Sequence, residues 1–223
     1  MLKTIERLLF PEFCYICGRD KTDDFVVCGE CGQNLHYFDN SIGMSAHRDE
    51  SMPVFIDRMN AVFIYDKHIR KLFYQYKSMG KKHVADYFLD QILKQIDFSL
   101  YDIDFISFVP LHWTKKIKRG FNQSQLIAKK LGLILNVENV NFLIKNRTTK
   151  AQKDVNFADR HINAIGSYSI FRSKAHLLKD VSILLVDDVF TTGATLNECA
   201  RIFKKNGVKN VFSLTVGITN DKK

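Results

Sequence analysis

Apolar positions divide the chain into alternating strand and helix patterns. Ala61, Val62, Phe63, Ile64 and Tyr65 form a continuous apolar run and predict a first strand over 58–65. Ile69, Leu72, Phe73 and Tyr76 recur at helical spacing, so 68–77 reads as an amphipathic helix, broken at Gly80. Val84, Tyr87, Phe88, Ile92 and Ile96 resume that period and predict a second helix over 82–96. The short run 105–109 stops at Pro110 and reads as a strand. A helix over 123–131, ended by Gly132, and a strand over 140–144 come next. Residues 145–165 are polar with weak periodicity and read as a long mobile loop, followed by a short extended piece at 168–171. The apolar run 181–186 is typical of a strand buried on both faces of a parallel sheet. A helix over 195–205, with Gly207 as its C-cap, and a strand over 211–216 complete the pattern. Strands alternating with helices predict an α/β domain over 54–220, with a mostly parallel sheet and flanking helices.

Ahead of this domain lies a segment that cannot bury a core. Residues 1–40 contain Cys14, Cys17, Cys28 and Cys31, a pair of C-x-x-C knuckles, and a polar linker over 39–53 follows. Two such knuckles place four thiolates tetrahedrally around Zn2+. An N-terminal four-cysteine zinc finger is expected, structural because four thiolates leave no open position for water. Metal binding would then supply the folding energy of so short a segment. Cys199 falls in a helical stretch and reads as a buried core thiol.

Charge adds a second asymmetry. The formal net charge is +9, and between positions 115 and 160 eleven Lys and Arg face only three acids. Nearly all the excess is in that fifth of the chain, which points to an anionic partner rather than a generally basic surface. Glu6 and Arg7 interrupt the N-terminal apolar stretch, and no apolar run reaches the ~20 residues of a membrane span. The expectation is a cytoplasmic protein with no membrane span, able to associate with the inner face of the membrane.

The candidate chemistry centres on 187–195. The strand ending at Val186 runs into Asp187, Asp188, Val189, Phe190, Thr191, Thr192, Gly193, Ala194 and Thr195, which open a helix. Ligands of open α/β sheets bind at the carboxyl ends of strands. Threonine hydroxyls, a glycine and a helix N-terminus make a phosphate seat. Two adjacent acids beside that seat suit ribose hydroxyls, which carboxylates accept from, or a metal bridging ribose and pyrophosphate. The turn is therefore expected to bind a phosphorylated ribose.

The stretch 184–196 resembles the thirteen-residue motif of the type I phosphoribosyltransferases. Nearly the whole chain resembles the ComF family of bacterial competence proteins. That likeness rests on Leu8-Leu9-Phe10-Pro11 before the first knuckle, Tyr76-Lys77 with Gly80, Val109-Pro110-Leu111-His112, Arg119-Gly120-Phe121-Asn122-Gln123, and Arg147-Thr148 with Gln152, Arg160 and Asn163. Lys81 departs from the family, which has an acid there. The resemblance implies that Asp187 and Asp188 hold the ribose and metal, and that 189–195 hold the 5-phosphate. It puts Pro110, Leu111 and His112 in the pyrophosphate loop, and 145–165 in the closing loop. Basic residues for pyrophosphate or DNA phosphates would be Lys77, Lys115, Lys116, Arg119, Arg147, Lys153 and Arg160. Implied cofactors are Zn2+ in the finger and Mg2+ with phosphoribosyl pyrophosphate. The implied partners are phosphoribosyl pyrophosphate, single-stranded DNA and other DNA-uptake proteins.

Plainer readings stand beside these. Lys77 could simply complement a helix dipole. His112 could be a polar loop residue, and Phe121 could be buried rather than stacked on a base. Arg119, read at a helix start, opposes the local dipole and so favours an anion. Function divides in the same way. One expectation is a DNA-handling protein of natural transformation that binds phosphoribosyl pyrophosphate. A second is a working phosphoribosyltransferase with an unidentified acceptor, and a lesser third is a regulator sensing the same ligand.

Overall fold

A computed structural model describes residues 13–20, 26–41, 53–146 and 164–219. In chain order the strands are β1 (Arg58–Ile64), β2 (Phe105–Phe108), β3 (Glu138–Asn139), β4 (Leu143–Lys145), β5 (Tyr168–Ile170), β6 (Ser182–Phe190) and β7 (Asn210–Ile218). The α-helices among the described residues are α1 (Gly29–Gln33), α2 (Lys67–Lys77), α3 (Val84–Gln95), α4 (Trp113–Arg119), α5 (Gln123–Leu135) and α6 (Ala194–Lys205). Five strands form one sheet in the order β1-β7-β6-β2-β3, and every pairing is parallel. β4 and β5 make a separate antiparallel pair.

The central strand β6 explains the layering. Leu184 and Val186 point into a cluster with Phe73, Tyr76, Phe88 and Ile127, from α2, α3 and α5. Ile183 and Leu185 point into the opposite cluster with Cys199 and Phe203 of α6 and Phe142. Side chains alternate across a strand, so an apolar run at this position fills both faces of the sheet. Cys199 is a buried thiol of that second core.

Four expectations needed correction. β6 does not stop at Val186 but runs to Phe190, so the two acids are strand residues rather than turn residues. Of the strand expected over 140–144 only the end forms, as β4, which pairs with β5, while β3 just ahead of it closes the parallel sheet. Gly132 does not end α5; the helix continues to Leu135 and is capped by Asn136 in the left-handed conformation. A short helix, α4, occupies 113–119 where none was expected. The expected loop core, 147–163, lies outside the described residues.

The cysteine segment shares the first core. Cys14, Ile16, Val26, Val27 and Leu35 pack in the same cluster as α2 and α3. Phe38 N donates to Val62 O at 2.9 Å and Ile64 N to His36 O at 2.9 Å, so 36–38 lie alongside β1. Lys71 Nζ donates to Ile16 O at 2.6 Å and fastens the first knuckle to α2. Among the described residues no helix is long and apolar enough to cross a membrane.

Candidate functional site

Parallel pairing sends every strand of the main sheet towards the same edge with its carboxyl end. The segment after β2 and the end of β6 therefore meet, and Val109 N donates to Val186 O at 3.0 Å where they join. Asp187 and Asp188 stand at this edge. Asp187 Oδ1 accepts from Ser124 Oγ at 3.1 Å and from Asp188 N at 2.8 Å. Burial, and then the neighbouring Asp188 charge, push the Asp187 carboxyl up to about 7. Asp188 Oδ2 pairs with Lys77 Nζ at 2.7 Å. Lys77 ends α2 and lies over the Phe73 ring, so this lysine does more than complement a helix dipole.

Beyond Phe190 the chain turns through Thr191 and Thr192 to Gly193, which caps α6 with φ of 78°. A side chain there would be strained, and glycine adopts this left-handed conformation without penalty. Thr192 is buried and its Oγ1 accepts from Ala194 N at 3.3 Å. The first N–H groups of a helix have no intrahelical acceptor, and the helix dipole leaves them partly positive. The turn thus presents donors and positive potential immediately beside two carboxylates. Near Thr195, the hydroxyl of Tyr168 accepts from Lys145 Nζ at 3.0 Å.

The basic rim comes largely from α4. His112 is buried and caps this helix, with Nδ1 2.9 Å from Thr114 Oγ1. It therefore has a structural role at the position where a loop residue was expected. Pro110 and Leu111 link β2 to that cap. Lys115 is partly buried; burial lowers its pKa, the Arg119 and Lys77 charges lower it further, and Asp188 opposes them. The charges of Lys77, Arg119 and Asp188 thus all act on Lys115. Arg119 ends α4 instead of starting a helix, so its charge complements that dipole, and its Nη1 donates to Gln123 Oε1 at 3.3 Å. The dipole mismatch expected from the sequence is absent. Lys116 is exposed. Phe121 packs against Tyr76, with ring centroids 5.4 Å apart. Arg147, Lys153 and Arg160 lie outside the described residues.

Sequence reasoning missed three members of this neighbourhood. Ser124 binds Asp187, and its helix is capped by Asn122, whose side chain accepts from Ser124 N and Gln125 N and donates to Val109 O. The helix-start pattern Asn122-Gln123-Ser124 was the signal available for it. Lys145 and Tyr168 come together only through the β4–β5 pair, and nothing local in the sequence marks them.

The four knuckle thiols lie within 4.8 Å of one another, with Cys17 Sγ 3.9 Å from Cys28 Sγ. Four thiolates about 2.3 Å from a central zinc would be separated by about 3.8 Å. The cluster fits a metal ion of that kind. The backbone N–H and guanidinium of Arg19 favour the Cys17 thiolate and lower its pKa to about 6.

Sheet, acid pair and phosphate-type turn together define a phosphoribosyltransferase domain. The model of that family, the phosphoribosyl transferase domain, matches residues 117–221. Over a longer span the chain is 27% identical across 198 residues to Competence protein F of Haemophilus influenzae, covering 84% of this chain and 82% of that protein. It is 26% identical over 219 residues to Competence protein ComFC of Bacillus subtilis, covering 94% and 86%. It is 25% identical over 204 residues to DNA utilization protein YhgH of Escherichia coli K12, covering 89% and 86%. The chain thus carries a type I phosphoribosyltransferase domain and is similar over most of its length to these competence and DNA utilization proteins.

Proposed function

We propose that this chain handles single-stranded DNA during natural transformation and binds phosphoribosyl pyrophosphate at the carboxyl edge of its parallel sheet. The observation that carries the ligand is the meeting of Asp187 and Asp188 with a glycine-capped helix start and the Lys77, Lys115 and Arg119 rim. In this reading the carboxylates accept from the ribose 2′- and 3′-hydroxyls. The residues 189–195 seat the 5-phosphate, and the cations face the pyrophosphate. Magnesium prefers one or two carboxylates plus substrate phosphates, and the acid pair fits that habit. Bound there, the ion would offset the charge of the pyrophosphate. Competence and DNA utilization relatives support the DNA half of the reading.

Calorimetric titration with phosphoribosyl pyrophosphate and Mg2+ tests the site. The double variant Asp187→Asn/Asp188→Asn is expected to lose at least about tenfold in ligand affinity, since hydrogen bonds to charged groups contribute ~1.5–3 kcal/mol each. It should retain most single-strand affinity. Equal loss of both activities in a folded variant would show that the roles are misallocated.

A second reading is a working transferase, favoured by an intact acid pair and basic rim at one edge. A nitrogen nucleophile would form a bond to C1 of the ribose as the C1–O bond breaks. Pyrophosphate would leave with the bonding electrons, and the nitrogen would then lose its proton. Acceptor-dependent release of pyrophosphate, abolished in the same double variant, is the outcome that selects this reading.

A further inference from the structure

A groove of about 800 Å3 separates the first cysteine knuckle from α2, on residues the ligand site does not use. Its α2 wall is made by Lys67, Arg70, Lys71 and Tyr74. These positions follow helical spacing and are all exposed, opposite the buried Ile69, Leu72, Phe73 and Tyr76. Its knuckle wall carries Phe13, 48% exposed, across from Tyr74, 57% exposed. Three of the lining residues are cations and none is an acid. Lys71 is already committed to the carbonyl of Ile16, whereas Lys67 and Arg70 have no ionic partner among the described residues. An adjoining groove shares Ile16, Cys17, Lys67 and Lys71 with this one and is lined besides by Glu30 and Asp66, so Lys67 stands between an acid-bearing lining and an acid-free one.

Two exposed aromatic rings, flanked by cations with no ionic partner among the described residues and with no acid among the described lining, suit a ligand that alternates flat apolar faces with negative charges. We propose that this groove is the docking surface for single-stranded DNA: bases stack on Tyr74 and Phe13, and phosphates pair with Lys67 and Arg70. From Lys67 to Tyr74 the helix advances about 10 Å, at 1.5 Å per residue. Every base has a π-face, so little sequence preference is expected. A duplex, whose bases are already stacked, cannot use the rings. The zinc-type knuckle thereby gains a role beyond stability, because it supplies one wall of the trough. This inference rests on the single-strand reading above and assigns it a surface distinct from the ligand mouth.

Fluorescence anisotropy with labelled oligothymidylate, alongside calorimetry with phosphoribosyl pyrophosphate, provides the test. Tyr74→Ala should weaken strand binding by roughly 5- to 100-fold. Lys67→Ala/Arg70→Ala should lower the slope of log affinity against log salt by about 1.4, at ~0.7 per phosphate. Both variants should bind phosphoribosyl pyrophosphate as the unaltered chain does. Strand affinity unchanged in both variants would overturn the groove while leaving the single-strand reading standing. Failure of the unaltered chain to bind the strand would overturn both. Duplex bound as tightly as single strand would remove the stacking role and the proposal with it. Photocrosslinking of an iodouridine-containing strand to the unaltered chain avoids any folding defect. Crosslinks at Tyr74 or Phe13 are expected, and crosslinks confined to 113–119 would place the strand at the ligand mouth instead.

Discussion

Asp187 illustrates how one side chain records its surroundings. Its carboxyl titrates at about 7 in the fold, against ~3.9 for an exposed aspartate. Between those values the folded chain holds more protons than the unfolded chain, so stability falls as pH rises through that window. Asp187→Asn removes the titration and should flatten the fall in unfolding midpoint between about pH 4 and 7. Identical pH profiles for variant and unaltered chain would mean that the carboxyl is not held up in solution. Asp187 itself was legible in the sequence because two acids beside Thr-Thr-Gly are chemically odd. Its raised pKa, and the reach of Ser124 and Lys77 to the acid pair, were not legible. Ser124 is 63 positions from Asp187, and Lys77 lies further still along the chain, at the end of another helix.

At the level of elements, periodicity succeeded where a face is buried and failed where it is not. α2 and β6 each put an apolar face or run into the core, and both were expected within a few residues. α4 was missed because Trp113 and Ile117 are 65% and 73% exposed, leaving no apolar stripe for a period to reveal. Gly132 was misread for the opposite reason. A glycine near a helix end suggests a cap, but here it permits close packing: an added Cβ would lie 2.7 Å from Val137 O. Helix propensity alone makes Gly132→Ala favourable by ~1 kcal/mol. The clash with backbone is expected to outweigh this and destabilise the protein by about 1–3 kcal/mol in urea unfolding. A stabilised variant would show that the turn after α5 gives way.

At the scale of the molecule, the cysteine segment and the sheet are energetically joined. Cys14, Ile16 and Leu35 lie in the core cluster of α2 and α3, and 36–38 pair with β1. Metal binding contributes to the folding of such small knuckles. Stripping the metal, or Cys14→Ser, is therefore expected to lower the melting temperature of the whole chain in one transition and to release one equivalent of zinc. Two separate transitions, with the sheet melting as before, would make the segment an independent unit. The distribution of charge also acts at this scale: the acid-free groove and the ligand mouth put cations at two places, of which the sequence's basic stretch marked only one.

The chemistry that depends on neighbours in sequence was legible from the chain alone. Two C-x-x-C knuckles specify a thiolate cluster, and strand–acid–acid–threonine–glycine–helix specifies a phosphate-type turn, because each requires residue types only a few positions apart. The apolar runs likewise settled an α/β domain with a parallel sheet. What the tertiary structure decided is which distant groups converge. Parallel pairing carried the segment after β2 to the end of β6, the β4–β5 pair brought Lys145 to Tyr168 and Thr195, and docking of the knuckle on α2 formed the basic aromatic groove. These contacts depend on sheet order and on packing across both faces, and such long-range choices leave no local period or spacing in the sequence.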